Sequence, residues 1–162
     1  MTTLGRTDFE RLLAISSNED QAVALLRSTQ NISARFGTHL SSDVINYCRF
    51  AAVMQGVGYH TRDITQMYTQ LLWACVNYKL NTVTIENVFI ATCHMIRKGR
   101  ITYEDMLQLL ERFPRILELL ASIMDKDCKT CVEMMHNKQI PVVPIIEDLL
   151  RDLLKQSLEE DK

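Results

Sequence analysis

The chain has 162 residues, 47% hydrophobic and 23% charged, with 18 Lys and Arg against 20 Asp and Glu. A chain of this length buries enough apolar surface to fold without disulfides or a structural metal, and its near-balanced charge excludes a global positive field for nucleic acid or an anionic membrane. With only 5 Gly and 3 Pro it lacks the turn chemistry of a sandwich or barrel and the linker of a second domain. The expectation is an all-α fold: a single helical domain over residues 1–162, a compact bundle of about eight helices.

Helix starts recur as a Ser, Thr or Asn followed by acidic residues and then an apolar periodic run, which supplies a capping acceptor and suits the helix dipole. Thr7-Asp8 opens a short first helix with Phe9, Leu12 and Leu13. Asn18-Glu19-Asp20 opens a second that should stop at Gly37. Ser41-Ser42-Asp43 opens a third, closed by Gly56 and Gly58. Thr61-Arg62-Asp63 leads into Ile64, Met67, Tyr68, Leu71, Leu72, Cys75 and Val76, the clearest helical stripe of the first half. Trp73 shares a face with Val76 and reads as a core residue.

Thr84 is the expected cap of the next helix, which ends at Gly99. Ile101 to Asp105 opens a further one, and Pro114 either kinks it or sits in the first turn of its successor, which carries Ile116, Leu117, Leu119, Leu120 and Ile123. Asp125 to Asp127 form a junction, and Cys131, Met134 and Met135 mark a shorter helix ending near Asn137. Ile140-Pro141-Val142-Val143-Pro144 is extended around its prolines. It forms an elbow before a C-terminal amphipathic helix over residues 145–160, and the polar end, Glu159 to Lys162, is expected to fray.

No apolar signal core follows Met1, and no apolar run approaches the length needed to span a bilayer. The expectation is no membrane partner. The 5 cysteines, Cys48, Cys75, Cys93, Cys128 and Cys131, are odd in number and lie mostly in apolar helical patterns, which suits a reducing cytoplasm or nucleus.

No constellation points to catalysis or to a cofactor. The four histidines, His39, His60, His94 and His136, form no i, i+4 pair and no H-E-x-x-H motif. His39 and His60 fall in expected loops. Cys93 and His94 are neighbours and point about 100° apart on a helix, so they make no nucleophile–base pair. The paired carboxylates Glu19-Asp20, Glu104-Asp105 and Glu147-Asp148 fall in first turns, where capping accounts for them. The glycines form no phosphate-binding loop.

Cys128-x-x-Cys131 followed by His136 has the C-x2-C-x4-H spacing that resembles the first three ligands of a retroviral-type zinc knuckle. Pro141 stands where that family places its fourth ligand, and a structural zinc site needs four. The expectation is no bound metal unless a ligand comes from elsewhere in the fold. Asn81 to Ala91 resembles the second loop and third helix of a histone fold, but the helix before it is shorter than that family's central helix and the segment lacks a strongly basic surface. It therefore reads as a capped helix with an apolar face.

Two surfaces remain. In the last helix Ile146, Leu149, Leu150, Leu153, Leu154 and Leu158 form one broad stripe opposite Glu147, Asp148, Arg151, Asp152 and Lys155, a helix-in-groove pattern. The Pro-containing elbow before it allows the helix to swing out for a dimer exchange or partner contact. The function expected on this basis is that of a noncatalytic helical adaptor or regulatory protein acting on a protein partner or on itself as a homodimer. The alternative is a nucleic-acid-associated or chromatin-type module using Arg97, Lys98 and Arg100, with Tyr103 nearby for stacking.

Overall fold

A computed structural model describes residues 3–160. Among them the protein is all-α, with nine helices and, in place of any strand, one isolated antiparallel bridge between Arg100 and Pro141. Of the polar end expected to fray, Glu159 belongs to the last helix, while Asp161 and Lys162 lie outside the described residues. The chain divides into two compact units, Met1–Thr65 and Gln66–Lys162.

The first unit holds α1 (Thr3–Ala14), α2 (Glu19–Phe36), α3 (Leu40–Gly56) and the opening of α4 (Thr61–Asn77). Leu12, Ala22, Leu25, Val44, Phe50 and Met54 are buried. Asn18 caps α2 by accepting the Gln21 N–H, and Gly37 ends it in the left-handed region at φ 69°. Two acidic residues are buried here rather than solvated. Asp8 lies inside α1, which begins before the expected Thr7 start, and accepts the Ser41 hydroxyl at 3.2 Å. Asp43 accepts the hydroxyls of Ser33 and Thr38, joining the end of α2 to the start of α3. Burial pushes the Asp43 carboxyl above its ordinary range, against the lowering effect of these two hydroxyls and of His39.

The second unit continues α4 and adds α5 (Thr82–Lys98), α6 (Tyr103–Leu110), α7 (Ile116–Met124), α8 (Cys128–His136) and α9 (Val143–Glu160). The α4 stripe is spent on this core, with Met67, Tyr68, Leu71, Leu72 and Cys75 buried and Tyr68 against Phe89 at 5.2 Å between ring centroids. Trp73 is half-buried. Pro144 lies in the first turn of α9, where its missing N–H costs nothing.

Three local expectations change. The cap of α5 is Asn81, whose Oδ1 accepts the Thr84 N–H at 2.9 Å, so Thr84 is capped rather than capping. The cap of α3 is His39, which places Ser41 to Asp43 in the first turn. Pro114 neither kinks a helix nor opens one; it lies in the turn between α6, which ends at Leu110, and α7, which starts at Ile116.

Candidate functional site

The α9 stripe faces the core of its own unit. Ile146, Leu149, Leu150 and Leu153 are buried, Leu154 is half-buried, and only Leu158, 39% exposed, stands in solvent. The four buried residues meet Leu71, Met95, Leu109, Phe113 and Ile116 around a small apolar void. Sequence pattern alone does not separate a stripe that packs at home from one that docks abroad, since both have the same period.

The basic cluster is partly committed as well. Lys98 Nζ lies 3.1 Å from Oδ2 of Asp105, which is buried and also accepts the Thr102 hydroxyl at 2.9 Å. Lys98 thus closes the start of α6 over the end of α5. Arg97 and Arg100 are exposed.

The C-x2-C-x4-H residues do not converge. Cys128 and Cys131 lie one turn apart in α8, with Cys131 fully buried and Cys128 half-buried. His136 is five residues beyond Cys131, about 140° around the helix, and its ring stacks on Tyr103 at 4.4 Å. No group of three or more His, Cys, Asp or Glu among the described residues is arranged to hold a metal ion. Elsewhere, burial raises the Cys75 thiol and pushes Cys48 up to about 11, with Arg11 lowering and Asp8 raising the latter in smaller measure. Cys93 is buried while His94 is exposed, as their neighbouring positions require.

His39 Nδ1 lies 3.2 Å from the Ser42 hydroxyl, a Ser–His contact that sequence reading missed. The same nitrogen accepts the Ser42 backbone N–H at 3.4 Å, so its lone pair serves the helix start, and the pair has the geometry of a cap. Its sequence signal is a three-residue spacing ahead of an acidic first turn.

The feature with the form of a recognition site is a surface recess of about 200 Å³ between α5 and the end of α6, lined by Asn87, Val88 and Ile90 of α5, Gln108 of α6, and Glu111 and Arg112 of the turn that follows it. Val83 is 67% exposed and lies one turn before Asn87 on the same face. Leu107, 39% exposed, lies one turn before Glu111. The recess thus joins two aliphatic residues, Val88 and Ile90, to amide and charged groups, and Val83 and Leu107 stand exposed one turn before two of its lining residues. Neither Val83, in the junction next to Thr84, nor Leu107, within the apolar pattern of α6, carries a sequence signal that marks it as uncovered.

Comparison with protein-family models, curated proteins and solved structures finds no match to this chain. Among the described residues no helix is long and apolar enough to cross a membrane.

Proposed function

We propose that this protein is a noncatalytic helical interaction protein, adaptor or regulatory in role, that engages a protein partner or a second copy of itself at the α5–α6 recess. The observation that carries this reading is the exposure of Val83 one turn before a recess lined in part by Val88 and Ile90. A protein partner that seats an aliphatic or aromatic anchor there gains apolar burial at the centre, while Asn87, Gln108, Glu111 and Arg112 supply the polar rim that fixes orientation. Five free cysteines suit work in a reducing compartment, the cytoplasm or nucleus.

The test is a photo-crosslinking side chain at position 83 or 107 in the full chain, with a control at exposed Gln30. A single protein, or a second copy of the chain, should cross-link from 83 and 107 but not from 30. The double variant Val83→Glu, Leu107→Glu should weaken that contact about tenfold or more at unchanged melting temperature. Partner binding indifferent to the double variant would overturn the reading. Binding to nucleic acid that falls steeply with salt and is lost on replacing Arg97, Lys98 and Arg100 would replace it with the alternative.

A further inference from the structure

Cys128 is the first residue of α8 and Cys131 stands one turn later. Residues three apart in an α-helix have α-carbons about 5 Å apart, inside the roughly 4.4 to 6.8 Å that a disulfide spans. Their β-carbons, at about 5 to 6 Å, need to approach by about 1 Å to reach disulfide spacing. The first turn absorbs this. Its leading N–H groups have no helical carbonyl to lose, and the turn is held instead by Asp127, whose Oδ1 accepts the Thr130 N–H at 2.6 Å and whose carbonyl accepts the Cys131 N–H at 3.1 Å. The two thiols differ in access: Cys128 is half-buried and Cys131 has no exposed surface.

We infer that Cys128 and Cys131 form an oxidation site, a dithiol that low-molecular-weight disulfides convert to an intramolecular disulfide within the first turn of α8. The Cys128 thiolate attacks one sulfur of glutathione disulfide, forming a mixed disulfide and expelling one glutathione thiolate. Cys131 then loses its proton and attacks Sγ of Cys128, forming the internal disulfide and expelling the second glutathione thiolate. Both protein thiols are oxidised by two electrons in total, the small disulfide is reduced to two thiols, and the two protons go to the leaving thiolates. The buried Cys131 thiol is raised first by burial and further by Cys128 and Asp127 beside it, with Lys126 opposing. The second step therefore quickens as pH rises.

The experiment incubates the full chain with glutathione disulfide, quenches with acid, alkylates with N-ethylmaleimide and maps the peptides. The expected product is a 128–131 linkage with two fewer alkylated thiols per chain and no lasting glutathione adduct. Cys131→Ala should trap glutathione on Cys128, and Cys128→Ser should leave Cys131 unreacted, both with the helical circular dichroism of the native chain. If either variant fails to fold, the native chain alone decides through the lifetime of its adduct. A stable glutathione adduct on native Cys128, or no oxidation at Cys128 while the urea-unfolded chain oxidises there, would overturn the inference.

Discussion

The backbone N–H of Ile101 donates to the carbonyl of Ile140 at 2.9 Å, tying the α5–α6 junction to the elbow that launches α9. Val142 completes the strap by donating to the carbonyl of Gly99 at 3.2 Å. Ile140 and Val142 are both fully buried. Swinging α9 outward about this elbow would break two backbone bonds or tear four leucine and isoleucine side chains from their core. Pro141 lies in the extended elbow, Pro144 already belongs to α9, and the pairing makes the elbow fixed.

Removing α9 is therefore expected to unfold its unit. Deleting residues 145–162 should abolish the cooperative urea transition or give aggregates, because Leu71, Phe113 and Ile116 lose the side chains they pack against. Leu149→Ala and Leu153→Ala should each cost about 2 to 5 kcal/mol, the usual range for emptying a buried leucine site. Urea unfolding followed by circular dichroism measures both. A folded, monomeric truncated chain would mean that α9 is peripheral.

The Lys98–Asp105 pair should respond asymmetrically. Asp105 is buried and accepts the Thr102 hydroxyl, so Asp105→Ala leaves that buried hydroxyl without its acceptor, although the backbone N–H of residue 105 still donates to Thr102 Oγ1. The expected loss is about 1 to 3 kcal/mol. Lys98 keeps half of its side chain in water, 52% exposed, and Lys98→Ala should cost under about 1 kcal/mol. Equal losses in denaturant melts would contradict this division.

Asp43 gives a pH signature. Its carboxyl is raised by burial above the ordinary 3.8, so the folded chain holds the proton more tightly than the unfolded chain does. The stability this contributes is fully present below the unfolded value and is lost as pH rises through the raised folded value. Asp43→Asn lacks this dependence. The native chain should gain stability relative to Asp43→Asn as pH falls from neutral toward 3.8, the other acidic groups cancelling in the difference. Urea midpoints of both proteins at several pH values provide the check, and a constant difference would show that Asp43 titrates normally.

Much of the helical plan is legible in the sequence because caps and stops are local chemistry. Asn18, Thr102, Gly37 and Gly99 act where their residue types lead one to look. The misplaced starts have a shared cause: Asn81 and His39 sit two or three residues ahead of more conspicuous threonine and serine candidates, and a histidine acceptor at a helix start is an uncommon choice. The recess was not legible, since it depends on which apolar residues of α5 and α6 are left uncovered when the two helices pack. Val83 and Val88 are alike in sequence, yet one stands in solvent and the other is buried. The same packing decides that Ile146 and Leu149 serve the core.

Glycine substitutions separate backbone conformation from packing. A β-carbon at Gly99, Gly37 or Gly56 meets nothing within 4 Å, so any difference among them comes from the backbone alone. Gly99 has φ 75° and Gly37 φ 69°, the left-handed region, where an L-residue costs about 1 to 2 kcal/mol. Gly56 ends α3 without a positive φ, and alanine there restricts the unfolded chain at no cost to the fold. Gly99→Ala and Gly37→Ala should therefore destabilise by about 1 kcal/mol each, while Gly56→Ala should stabilise by about 0.4 to 1 kcal/mol. Three melts against the native chain decide the matter. A loss at Gly56 equal to that at Gly99 would show that helix α3 does not end as described.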